Sequence, residues 1–204
     1  MQVIDAIFQI AILIFSVIIH EVSHGYMALA LGDKTAEYEG RLTLNPLKHI
    51  DPFGSVILPF LTYVTGGVVF GWAKPVPYNP YNLKNPRSGQ ALIAAAGPLS
   101  NIAIAIFFSV LIRIFFTGAL TPFMQIASLI VLVNLVLAIF NLIPIPPLDG
   151  SKILFFLIPP QFREYQSFFE RNSIYLLLFF IFFLWGYVTP LVGFIFSLFT
   201  GIAF

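Results

Sequence analysis

His20, Glu21 and His24 are the residues of this sequence whose types and spacing best suit chemistry. On a helix, positions four apart project from one face, so the two imidazoles can share a tetrahedral zinc ion. Glu21 sits beside them, where its carboxylate can take a proton from a water on that metal. This is the H-E-x-x-H arrangement of zinc hydrolases, with Val22 and Ser23 as the spacers. A purely structural histidine pair is the competing reading. The setting argues against it, because the three groups interrupt an otherwise apolar run from Ile4 to Leu31. Each unpaired charge in such a run costs roughly 2.5 kcal/mol or more, so ionisable clusters there are functional by default.

Two histidines leave a catalytic zinc one protein ligand short. The candidates for the third are Asp149, His49, Asp51, Glu164 and Glu170. Asp149 follows a run broken by Pro144, Pro146 and Pro147 and precedes Gly150, where the backbone can turn close to a metal; it could equally cap a helix over residues 150–158. Glu164 and Glu170 lie in a polar stretch with basic neighbours and read as solvated, while His49 and Asp51 sit where a polar stretch turns apolar. Asn141 could hydrogen-bond the reacting carbonyl, or satisfy carbonyls freed by the prolines that follow it. Asn101 reads as a brace for the site, and Asn134 as a hydrogen bond between helices.

The elements that must position these residues are those of a membrane protein. Of 204 residues, 59% are hydrophobic and 9% charged, where a soluble domain carries about 25% charged residues. With no cysteine, disulfides, thiolate ligands and a cysteine nucleophile are excluded, and a net charge of +1 gives no reason to expect nucleic acid. Long apolar segments cover 4–31, 91–116, 123–143 and 173–204, the last interrupted by Pro190. Residues 35–50 alternate polar and apolar, which predicts a strand, and 51–72 are apolar but broken by glycines and prolines. Residues 73–88 are a proline-rich loop. The expected fold is an all-α polytopic membrane protein of about five transmembrane helices, with a strand-containing re-entrant element over about 35–70. One domain is expected over 1–204, with a core over about 4–158 and a C-terminal helix over 173–204. The first helix is expected to serve as an uncleaved insertion signal.

His20-Glu21-x-x-His24 in an apolar helix, with Asn141-x-x-Pro144-x-Pro146-x-Leu148-Asp149-Gly150 far downstream, resembles the site-2 protease family of intramembrane zinc metalloproteases. Gly97-Pro98-Leu99-Ser100-Asn101 resembles that family's small-residue motif, and Asn45-Pro46-Leu47-Lys48-His49-Ile50-Asp51-Pro52 is similar to its compact members. The resemblance covers roughly residues 10–155. It implies one zinc per chain on His20, His24 and Asp149, Glu21 as catalytic base, and cleavage of transmembrane segments of membrane-protein substrates. It also implies a compact member without PDZ or CBS domains.

If Asp149 joins the two histidines, the helices before them must run in the same direction and leave the membrane on one side. Residues 35–70 then enter and leave on that side without spanning. Nine of the ten basic residues, all but Arg113, then fall on that side, which the positive-inside rule makes cytoplasmic. The expected location is the cell membrane, multi-pass, with the site opening toward the cytoplasm. Expected partners are transmembrane substrates and membrane lipid, with a homo-oligomer left open. An unwound substrate could add as a strand along 37–44 or 144–148. Three other readings remain at this point: a metal-binding membrane protein without protease activity, a metal or proton transporter, and a zinc protease whose third ligand is Glu164 or Glu170.

Overall fold

The computed structural model describes residues 2–57, 61, 64, 73–115 and 121–204. Helix α1 (Gln2–Ala30) carries the histidine motif near its C-terminal end. It stops where Gly32 takes a positive φ of 104°, a conformation without penalty only for glycine. The Gly32 amide then bonds the Leu29 carbonyl and the Asp33 amide the Ala28 carbonyl, which closes the helix with a Schellman turn.

The short helix α2 (Thr35–Tyr38) occupies part of the stretch expected as a strand. Its end repeats the device: Gly40 has φ 61°, and Gly40 and Arg41 donate back to Glu37 and Ala36. A 3₁₀ turn, Pro46–Lys48, follows with Asn45 as its cap, and then a π-helical turn, Pro52–Ile57. The expected strand is therefore corrected: none occurs among the described residues. The alternation of Glu37, Glu39 and Arg41 with apolar neighbours is real, but local caps already satisfy the backbone there. Residues 58–60, 62, 63 and 65–70 of the expected re-entrant element lie outside the described residues.

Helix α3 (Pro86–Phe115) is the centre of the molecule, packing against α1, against α4 (Pro122–Asn141) and against α5 (Asp149–Leu157). Its small residues Ala94, Ala96 and Gly97 are buried, so another backbone can come close. Helix α4 starts on Pro122, with the Thr121 hydroxyl accepting from the Met124 amide. The amphipathic helix α6 (Arg163–Arg171) leads to α7 (Ser173–Phe179), a π turn (Phe180–Leu184) and α8 (Trp185–Thr200). Pro190 lies inside α8 and does not divide it. Ala105, Ile112, Ala127, Val131, Leu135 and Phe196 join α3, α4 and α8 in one apolar core.

Among the described residues four stretches are long and apolar enough to cross a membrane: Phe8–Ala30, Pro86–Phe115, Pro122–Asn141 and Ser173–Thr200. Between 22% and 39% of each is buried inside the protein, so most of their apolar surface faces outward, as a lipid solvent requires. The chain is an all-α, multi-pass membrane protein, with four spans described where about five were expected. Arg113, the one basic residue set apart by the charge pattern, donates from Nε and Nη2 to the carbonyls of Phe199 and Leu198. It thereby satisfies the end of α8, where carbonyls lack helical partners.

Candidate metal centre

Helical spacing brings His20 and His24 together, with ring centroids 4.6 Å apart and planes at 89°. Each ring is fixed by what its Nδ1 touches. His24 Nδ1 lies 2.6 Å from the backbone carbonyl oxygen of Ile93 on α3. A carbonyl can only accept, so that nitrogen carries the proton and Nε2 carries the lone pair of the neutral ring.

His20 Nδ1 lies 2.6 Å from Oδ1 of the fully buried Asn101. The amide orientation is set by a chain of partners. Asn134 donates from Nδ2 to the Ile130 carbonyl (2.9 Å) and to the Ser16 hydroxyl (3.0 Å), so its Oδ1 faces Asn101. Asn101 Nδ2 donates to that Oδ1 (2.8 Å) and to the Ser16 carbonyl (3.3 Å), which turns its own Oδ1 to His20. Asn101 thus braces the site and Asn134 bonds between helices, as their positions in the sequence suggested.

Asp149 completes the group. Its Oδ2 lies 3.1 Å from His20 Nε2 and 3.2 Å from His24 Nε2. One ligand atom from each residue falls within a cluster no wider than 4.8 Å. Gly150 makes this approach feasible, since a Cβ there would collide with the backbone of Leu142 and Ile143. The residues fit a metal on chemical grounds. Two neutral imidazoles present lone pairs to a carboxylate, and three acceptors at such distances require a positive charge among them. Lys152 Nζ, 4.0 Å from Asp149 Oδ1, adds a cation on the other side.

Glu21, next to His20, is partly buried, and its Oε2 accepts the Val76 amide at 2.9 Å. Asn141 ends α4 and donates from Nδ2 to the Leu137 carbonyl, its one side-chain hydrogen bond among the described residues. The remaining candidate ligands are not brought to the histidines. His49 is buried and donates to the Thr43 carbonyl, while Asp51 caps the Pro52–Ile57 turn through the amides of Phe53 and Gly54. Glu170 is exposed and holds Gln166, and Glu164 is exposed in the first turn of α6.

Several contributors were not singled out in the sequence. Ser16 and the Ile93 carbonyl carry no recognisable pattern. The Val76 amide could have been found, as the only donor between Pro75 and Pro77. A cavity of about 600 Å³ is bounded by Arg87, Pro146, Pro147, Ser151, Lys152 and Phe155, and neither Asp149 nor the histidines line it.

Four apolar helices around a buried two-histidine, one-carboxylate group with an adjacent glutamate define a membrane-embedded metallohydrolase. Peptidase family M50 matches the chain over residues 8–121 and 116–184. YwhC of Bacillus subtilis (strain 168) is 41% identical over 190 residues, covering 90% of this chain and 81% of that protein. Rip2 of Mycolicibacterium smegmatis is 33% identical over 141 residues, covering 69% of this chain and 53% of that protein. MJ0611 of Methanocaldococcus jannaschii is 36% identical over 140 residues, covering 67% and 63%. All three are provisionally named zinc metalloproteases, and the chain spans less than two thirds of the latter two. No solved structure matches. The chain belongs to peptidase family M50. It is a zinc metalloprotease of the intramembrane, site-2 type.

Proposed function

We propose that His20, His24 and Asp149 hold the zinc, that Glu21 is the general base, and that the peptide bonds cleaved lie in or near transmembrane segments of membrane-protein substrates. The observation that carries this reading is the meeting of His20 Nε2, His24 Nε2 and Asp149 Oδ2 inside an apolar helical bundle, with Glu21 alongside.

Bound zinc would polarise the scissile carbonyl and acidify a water toward about pKa 7. Glu21 takes the proton from that water and returns it to the leaving amine. Its Oε2 is held by the Val76 amide, which leaves Oε1 for the proton. The Nδ1 partners of His20 and His24 keep both rings in the metal-binding tautomer. Asn141 has one amide hydrogen and its carbonyl oxygen to spare, enough to hold the backbone of an unwound substrate.

The active domain spans 1–204, and the site opens on the cytoplasmic side of the cell membrane. The basic residues Lys34, Arg41, Lys48, Lys74, Lys84, Arg87, Lys152, Arg163 and Arg171 support that orientation. Because the chain has no cysteine, a single cysteine at Tyr81, 93% exposed, reports it cleanly. An impermeant thiol reagent should label Tyr81→Cys in inverted vesicles and not in intact cells; the reverse would overturn the orientation. For the ligand set, Asp149→Ala should abolish stoichiometric zinc, whereas Glu164→Ala and Glu170→Ala should keep it. Zinc retained by Asp149→Ala and lost from either glutamate variant would refute the assignment.

A further inference from the structure

We infer that Arg41 is a positioning residue for Glu21, acting through the single peptide group between Pro75 and Val76. The inference rests on the reading of Glu21 as the base. Arg41 is only 4% exposed, yet among the described residues no carboxylate pairs with it and its Nε has no partner. A buried guanidinium without a counter-charge is costly, and a neutral amide could clip two carbonyls without that cost. Its Nη2 donates to the carbonyls of Lys74 (2.8 Å) and Pro75 (3.1 Å).

The Pro75 carbonyl and the Val76 N–H belong to the same trans peptide group, so they point in opposite directions. The carbonyl end meets the Arg41 cation, and the N–H end meets Glu21 Oε2 at 2.9 Å. A cation on the oxygen draws electrons out of the amide and strengthens its N–H as a donor, as in any polarised hydrogen-bond chain. Arg41 and Glu21 are thereby coupled across one peptide dipole without touching.

The surrounding sequence isolates this contact. Pro75 and Pro77 have no N–H and a fixed φ, so Val76 supplies the only donor of the three residues. The Val76 side chain is buried against α1 one turn beyond Glu21, where a Cβ on Gly25 would stand 2.8 Å from Val76 Cγ1. The Lys74 amide is tied separately to the His49 carbonyl at 2.9 Å. The loop is therefore anchored at three successive residues, and only the Val76 anchor reaches the catalytic residues. Arg41 thus keeps Oε2 of Glu21 fixed and its other oxygen turned to the water.

The test uses the full chain in detergent with a single-span substrate, reading kcat, KM and bound zinc. Arg41→Met should keep stoichiometric zinc and lose roughly 10–100-fold in kcat, the usual range for residues that act through a functional group. KM should stay within about twofold, and Arg41→Lys should recover part of the loss. Replacing Val76 by its α-hydroxy acid removes the N–H and keeps the side chain, and should produce a similar fall. The two changes together should be no worse than the poorer of them alone. Wild-type kcat in Arg41→Met, loss of zinc, or losses that multiply would overturn the inference. Should Arg41→Met fail to fold, the Val76 hydroxy acid decides alone, and undiminished cleavage overturns the inference. Glu21→Gln that still cleaves would instead remove the reading of Glu21 as base, a separate result.

Discussion

A Cβ on Gly97 would stand 2.6 Å from Nε2 of His20, and the same atom would lie 2.5 Å from Cε1 of His24. The central helix therefore presses bare backbone against the faces of both candidate zinc ligands. Gly97-Pro98 is thus more than a packing motif, because the absence of a side chain there sets how close α3 can come to the metal centre.

Gly97→Ala is accordingly expected to push the imidazoles away from Asp149. Overpacking of this kind costs typically 1–3 kcal/mol. Here it should appear as zinc affinity weakened about tenfold or more, measured by chelator competition. Unchanged affinity would mean that α3 can shift to accommodate a methyl group.

Asn101 can act on a metal at this candidate site only through His20. Asn101→Ala leaves His20 Nδ1 and Asn134 Oδ1 without their partner, and each buried polar group so stranded costs roughly 1–3 kcal/mol. Zinc affinity should fall about 10–100-fold, the typical effect of losing a partner that orients a metal-binding histidine. Asn134→Ala removes the next link and should produce a smaller change of the same kind.

Asp33 gives a pH prediction. Its buried carboxylate receives the Thr35 hydroxyl and amide, the Asn82 side chain and the Asn79 amide, which ties the end of α1 to the loop that carries Val76. Burial raises its pKa, but these donors lower it more, leaving it below the ordinary value. A carboxylate lowered by folding contributes stability above its unfolded pKa of about 3.9, lost as pH falls through the lower folded value. Thermal unfolding in detergent should show wild type losing this contribution below about pH 4, whereas Asp33→Asn should lack that component and be less stable at neutral pH. An Asp33→Asn profile parallel to wild type would contradict the role.

The legibility of the sequence followed the range of the interactions. His20, Glu21 and His24 could be read because one helix sets their spacing, and Asp149 because prolines and Gly150 mark an unusual backbone beside a carboxylate. The parallel run of α1 and α4 followed from requiring these groups to meet. Residues 35–44 misled because alternation reports only where side chains point. Asp33, Gly32 and Gly40 decide the backbone there, and their capping pattern was legible in principle. Arg41 and Ser16 could not be read, since their partners are a peptide group and side chains from distant segments. Among the described residues Pro190, which marked a possible break in the sequence, is accommodated within α8.

If Glu21 does chemistry on a zinc held by its neighbours, Glu21→Gln separates the two roles. Zinc content and cleavage of a single-span substrate should be measured on the same purified preparation. Glu21→Gln should bind one zinc per chain, as wild type does, while its cleavage rate falls at least about 10²-fold, the lower range expected for losing a general base. Cleavage at the wild-type rate with zinc still bound would rule out Glu21 as the general base.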